Sequence, residues 1–328
     1  MKTIGFGIIG CGDVTEKKSG PAFSKIQGSR LVSVMRRDPV KVADYARRHH
    51  VEKYSTNYMD LLTDTEIDTI YIATPPGMHH FYTLEAARHK KNVYVEKPMA
   101  TTVAQCREMI SVCQENGVKL FVAYYRRGQE KFRRIKALVE EGAIGEVRSF
   151  QYTYACPVPV INPDRSWLLS KSEAGGGLLY DMGSHMVDTI QFIFGDVSMA
   201  SGVSANISKI HSVNDVTSAL ICFKSGVQGT LQLSFHAAES IDEAVIFGSG
   251  GSIRFSIMDL EPVALMCDGM QERFTFDPLE HVQMPYIEHM VNILQGNSEG
   301  DVTGTYGLVT QELLEAFETG GTVFFNEV

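Results

Sequence analysis

The sequence predicts an α/β protein, with an N-terminal doubly wound domain followed by an α+β domain on a large, mostly antiparallel open sheet. Three observations predict it. The first 123 residues alternate short Ile/Val-rich runs with amphipathic stretches of about 10–15 residues, the pattern of βαβ units around a parallel sheet. A glycine-rich turn follows the first of those runs directly. From residue 216 onward short strands follow at hairpin spacing. The 328 residues, at about 150 per domain, make roughly two domains. Their expected limits are 1–123 and 124–328.

In the first half the strands fall at 3–9, 30–35, 69–73, 92–96 and 119–123, each an apolar run of a length suited to burial on both faces. Helices fall at 39–49, 78–90 and 103–116. In the last, Val103, Cys106, Met109/Ile110 and Cys113 recur at three-to-four spacing, which buries one face. Right-handed crossovers then wind the sheet doubly. Residues 128–141 read as a connecting helix, punctuated by Gly142 and Gly145. A strand at 147–154, a proline-rich loop and a helix at about 178–194 follow. Strands at 216–223, 226–235, 243–247, 252–256, 263–266 and 271–276 make the second sheet, with Lys224-Ser225-Gly226 as one turn. Helices near 285–295 and 304–318 close the domain.

Composition narrows the partners. Apolar residues make up 44% and charged residues 21%, the mix of a folded globular protein. With 39 acidic against 30 basic side chains, the net charge of -9 repels nucleic-acid phosphates and anionic lipid, so neither nucleic acid nor membrane is an expected partner. Arg126-Arg127 and Arg133-Arg134 read as solvated helix faces. Six cysteines, at 11, 106, 113, 156, 222 and 267, form no CxxC pair and no zinc spacing. No metal is expected, and reduced thiols point to the cytoplasm. Ile8-Ile9-Gly10-Cys11 mimics a lipoprotein cleavage box, but the apolar stretch before it, 4–9, is shorter than a signal-peptide core and holds two glycines.

Gly7-Ile8-Ile9-Gly10-Cys11-Gly12-Asp13-Val14-Thr15 follows the first strand and opens a helix. Gly10 and Gly12 permit the tight turn and close approach of a pyrophosphate to the amides of Cys11, Asp13 and Val14 at a helix N-terminus. Thr15 stands at the third motif position. An NAD enzyme usually carries an acid at the end of the second strand. Here Arg36 falls there, 24 residues past Gly12, with Arg37 beside it. Guanidinium groups at that point grip a 2′-phosphate, so NADP(H) is the preferred cofactor. NAD(H) remains open through Asp38, the next carboxylate.

Ala73-Thr74-Pro75-Pro76-Gly77-Met78-His79 ends one parallel strand and Glu96-Lys97-Pro98 the next, both on the carboxyl edge of the sheet where ligands bind. Further on, Ala174-Gly175-Gly176-Gly177 leads through Asp181 to His185, four residues apart on one helical face. Singly, Lys97 reads as a surface lysine, Asp181 as a helix-dipole partner and His185 as a core histidine. Together they supply a charged donor, an orienting carboxylate and a group that titrates near neutrality.

In the order and spacing of these motifs the whole chain resembles the Gfo/Idh/MocA oxidoreductases, the glucose–fructose oxidoreductase and inositol dehydrogenase group. The resemblance implies a Rossmann domain, then an open-sheet domain through which homodimers or homotetramers form. It implies pyridine-nucleotide redox chemistry on a small sugar, inositol or polyol. By the same resemblance Thr74, Pro75, His79, Glu96 and Lys97 border the cofactor, and Pro98 sits where a cis peptide is frequent. Lys97 matches the lysine that hydrogen-bonds the reacting oxygen, and Asp181 and His185 the pair whose histidine moves the proton. Tyr125, Arg126 and Trp167 fall to the substrate, while Tyr124 reads equally as core. Two positions depart from the pattern. Pro76 replaces an asparagine, and Leu168 an arginine for which Arg165 is a substitute. Two alternatives stay open, a non-catalytic nucleotide sensor and a dihydrodiol-type dehydrogenase.

Overall fold

The computed structural model describes residues 2–161, 163–170 and 174–325, the side chains of 163–165 excepted. β1 (Ile4–Ile9) is buried along its whole length, and α1 (Asp13–Lys17) and α2 (Ala22–Lys25) follow it. Next come β2 (Ser29–Met35), α3 (Pro39–Arg48), β3 (Lys53–Ser55), α4 (Tyr58–Leu62), β4 (Thr69–Ile72), α5 (His79–Arg88), β5 (Asn92–Val95), α6 (Val103–Glu115) and β6 (Leu120–Val122). The six strands are parallel in the order β3-β2-β1-β4-β5-β6. The chain direction across the sheet reverses between β1 and β4, so the crevice at their carboxyl ends is the switch point where ligands bind in such folds. α6 buries Cys106, Met109 and Cys113, the face read from the sequence, and Thr102 caps it by accepting from the Gln105 amide.

The second part opens with α7 (Glu130–Glu140), β7 (Val147–Ala155) and α8 (Ser184–Phe194). The strands β8 (Val197–Ala205), β9 (Val216–Phe223), β10 (Gln228–Ser234), β11 (Ile241–Gly248), β12 (Gly251–Phe255), β13 (Val263–Cys267) and β14 (Met270–Phe274) follow. After α9 (Met284–Leu294) and α10 (Thr305–Thr319) the chain adds β15 (Thr322–Phe324). The sheet runs β14-β13-β12-β11-β7-β10-β9-β8-β15 and is antiparallel except between β10 and β7. Phe150, Tyr152, Met186, Ile190, Leu231 and Phe317 are among its core side chains. No helix among the described residues is long and apolar enough to cross a membrane.

By packing, the chain divides into two units. One compact unit is Met1–Gln129 with Leu279–Leu308, and the other is Glu130–Pro278 with Val309–Val328. The reason is apolar: α9 packs Tyr286, Ile287, Met290, Val291 and Ile293 into the same core as Ile4, Phe6, Phe23 and Tyr94. The division after the sixth strand therefore falls later than residue 123, and the second unit is not one continuous stretch.

Candidate active site

Each glycine of the turn after β1 has its own physical reason. Gly10 has φ +92°, and a Cβ on it would stand 2.7 Å from the Thr74 methyl and 2.9 Å from the Thr74 amide nitrogen. Only glycine lets β1 and β4 end so close together. Gly12 is extended, with φ -160°. The nearest atoms to a Cβ there would be the Gly10 carbonyl oxygen at 3.8 Å and Arg36 Nη1 at 3.9 Å. Gly12 relieves no internal clash; it keeps the face of the turn open, as a pyrophosphate lying against backbone requires. The Gly10 and Cys11 amides donate to the Met35 carbonyl (2.8 and 3.1 Å). Thr15 Oγ1 accepts from the Gly12 amide (2.9 Å) and donates to the Gly12 carbonyl (2.8 Å), tying the turn together at the third motif position. Asp13 and Val14 are then the first-turn residues whose amides lie beyond the reach of intrahelical acceptors. Burial pushes the Cys11 thiol up to about 12, so its sulfur is inert.

Arg36 is half-buried, its Nη1 donating to the Cys11 carbonyl at 3.3 Å. Arg37 is exposed. Asp38 Oδ1 accepts from the Val40 and Lys41 amides, both at 3.0 Å. The Lys41 amide first, then the Val40 amide, hold its carboxyl below the usual range. Asp38 is thus the cap of α3, with Pro39 at the first helical position, and Arg36 is the side chain leaning over the turn.

At the next two strand ends, His79 is completely buried. Its Nε2 meets the Thr74 carbonyl at 2.8 Å and its Nδ1 the Pro98 carbonyl at 2.9 Å. Burial holds its pKa below the usual histidine range. The ring ties the two motifs together. Pro75 is exposed, while Pro76 is buried at the start of a short 3₁₀ turn. The Lys97–Pro98 peptide is cis. Lys97 is half-buried, and its amide donates to Glu96 Oε2 at 3.2 Å. Glu96 Oε1 accepts from the Tyr71 hydroxyl (2.6 Å) and from Gln283 Nε2 (2.7 Å). After β6, Tyr124, Tyr125 and Arg126 are all buried, Arg126 with its guanidinium 5.4 Å from the Tyr125 ring centre. Arg127 stands 4.3 Å over Tyr306.

The second unit explains its glycine run by packing. Gly175 and Gly177 have φ of +85° and +64°. A Cβ on Gly176 would run into the Tyr180 ring, and one on Gly177 would come within 2.6 Å of Val213. Asp181 lies half-buried in a π-turn, Leu179–Gly183, and His185 is the second residue of α8, 6% exposed. The helix expected at about 178–194 is present and carries a π-turn at Asp181, a feature that recurs at functional sites. Trp167 is half-buried in a 3₁₀ segment. Leu168 is 2% exposed, a place where an unpaired cation would be costly. The Arg165 side chain lies outside the described residues.

Sequence reading missed the donors around Glu96. Tyr71 lies inside an apolar strand run, and Gln283 stands 187 positions beyond Glu96 in a stretch without a motif. No local signal marks either one.

Comparison with known proteins covers both units. Residues 4–124 match the model described as an oxidoreductase family with an NAD-binding Rossmann fold, and residues 132–254 match the GFO/IDH/MocA C-terminal domain. Oxidoreductase P35 of Formosa agariphila is 34% identical over 96% of this chain and 98% of its own. The 1,5-anhydro-D-fructose reductase of Ensifer adhaerens is 27% identical, covering 92% of each. A levoglucosan dehydrogenase solved with NADH and levoglucosan superposes with a TM-score of 0.85 at 20% identity, over 99% of this chain and 100% of that one.

Proposed function

The chain belongs to the Gfo/Idh/MocA family of oxidoreductases, and from that premise we propose that it interconverts a hydroxyl and a carbonyl on a sugar, inositol or related polyol. One observation carries the reading. The open glycine turn, Thr74 and Glu96-Lys97-Pro98 end the neighbouring strands β1, β4 and β5 on one edge of one sheet. The names of the reductase and the levoglucosan dehydrogenase support the sugar class.

A bound nicotinamide would supply or accept the hydride, with its diphosphate held against the open turn at Gly10 and Gly12 and by the amides of Asp13 and Val14. Lys97 donates to the reacting oxygen and stabilises the alkoxide as charge develops. His185 takes the hydroxyl proton during oxidation and returns it during reduction, a role worth about 10²–10⁴-fold. Asp181 orients His185 or holds a neighbouring substrate hydroxyl. Tyr125, Arg126 and Trp167 are assigned to the substrate on the family resemblance alone.

NADP(H) is the proposed preference, because Arg36 overhangs the turn while Asp38 caps α3. Association as a homodimer or homotetramer through the second sheet, and a cytoplasmic location, belong to the same reading. Cysteines scattered along the chain without a CxxC pair support the latter. The test is a dehydrogenase screen across polyols and sugars with both cofactors. Turnover of at least one polyol or sugar is expected, and a chain that binds cofactor but turns over none overturns the reading.

A further inference from the structure

Within the first unit a line of buried hydrogen bonds converges on Glu96. Tyr94 donates to Gln283 Oε1 (2.8 Å), Gln283 Nε2 donates to Glu96 Oε1 (2.7 Å), and Tyr71 donates to the same oxygen (2.6 Å). Ser19 Oγ lies 3.0 Å from the Tyr71 hydroxyl. The directions are forced. A carboxylate only accepts, so Gln283 must present its NH₂ to Glu96 and its oxygen to Tyr94. Tyr71, having given its proton to Glu96, accepts from Ser19. Burial holds both phenols well above their usual pKa, so they stay donors. Gln283 is itself completely buried, and its amide donates to the Lys18 carbonyl (3.1 Å) just beyond α1.

We infer that Gln283 is a positioning residue for hydride transfer, acting through Glu96 on the Lys97-Pro98 turn. The inference rests on the proposed oxidoreductase reading. Glu96 Oε2 accepts from the Lys97 amide, so the oxygen held by Gln283 and Tyr71 fixes the carboxylate that in turn fixes the backbone carrying the Lys97 ammonium. The carboxylate holds that backbone on one side and the His79–Pro98 contact on the other. Removing the Gln283 donor leaves Glu96 Oε1 with the Tyr71 hydroxyl, lets the carboxylate swing about that contact and loosens the lysine. Small misplacements of that kind cost about 10²-fold in rate when chemistry depends on position.

The experiment compares wild type, Gln283→Leu and Gln283→Glu in steady-state turnover between pH 5 and 9, with melting temperature and NADPH binding measured alongside. Gln283→Leu should lose about 10–100-fold in kcat while its Kd for NADPH stays within about threefold. Gln283→Glu sets two carboxyl groups against each other, so one must hold a proton. Protonated, it still donates to Glu96. Relative to wild type at the same pH, this variant should keep its activity at low pH and lose it as pH rises, a descending limb absent from wild type. It also covers the case in which Gln283→Leu fails to fold. A Gln283→Glu pH profile that parallels wild type overturns the inference, as does a folded Gln283→Leu with kcat within twofold. A wild type inert toward every substrate overturns the functional reading and this role with it, an outcome distinct from active wild type with indifferent variants.

Discussion

Alanine at Gly10 and at Gly12 should separate folding from binding, although the two sites are two residues apart. At Gly10 the side chain meets two costs. A non-glycine residue at φ +92° costs about 1–2 kcal/mol, and a methyl 2.7 Å from the Thr74 methyl adds about 1–3 kcal/mol of overpacking. The sum is roughly 2–5 kcal/mol, a fall in melting temperature of about 5–15 °C. At Gly12 the backbone is extended and nothing lies within 3.8 Å of the new methyl, so stability should stay within about 0.5 kcal/mol of wild type. The methyl instead fills the space the turn keeps open, and the Kd for the dinucleotide should rise at least about tenfold, or about 1.4 kcal/mol. Thermal melting without ligand and quenching titrations with NADPH and NADH measure both. Wild-type affinity in Gly12→Ala would refute the assignment of that space to the cofactor. A Gly10→Ala protein as stable as wild type would refute the packing argument.

Arg36→Ala should weaken NADP(H) by about 10- to 100-fold, the worth of a charge-assisted contact of about 1.5–3 kcal/mol, and leave NAD(H) nearly unchanged; tighter NAD than NADP binding by wild type would overturn the preference. Lys97→Met should abolish turnover with NADPH affinity within a few-fold, and an unfolded variant by circular dichroism would make the lysine structural. Oxidation should slow as pH falls through the histidine range, because a protonated His185 accepts no proton, and a flat profile between about pH 5.5 and 8 would remove it from that role. His79 carries a pH signature of its own in stability. Burial lowers its folded-state pKa, so its contribution is complete above about pH 6.5 and is lost as pH falls toward the lowered value. His79→Gln should flatten that part of the melting-temperature profile, and stability that instead rises as pH falls below about 6.5 would show the ring to be a cation shared by two carbonyls.

The layout of the first unit was legible because its signals are local. β1 and β5 are apolar runs whose burial needs no distant partner to predict, and α6 announces its face at three-to-four spacing. β3 and α4 escaped because three to five residues are too few for a period to accumulate. β8 escaped for another reason: its VSMASGVSA is small and polar, and it becomes a strand by pairing with β9 and β15. The site divides in the same way. The openness at Gly12 and the position of Arg36 are local, because the turn carries its own geometry. The surroundings of His79 are not. The family resemblance sets it beside the cofactor, and in the structure it is completely buried, its two nitrogens meeting backbone oxygens from positions 74 and 98. Both acceptors are carbonyls, which every residue has, so no choice of side chain at either position records the contact. Gln283 is the extreme case. Its partners come from two separate parts of the chain, Lys18 just beyond α1 and Tyr94 and Glu96 at the end of β5, and the glutamine gains its meaning only when α9 returns to the first unit's core. The motif supplies the lysine; the residues that hold its backbone come from wherever the fold brings a donor.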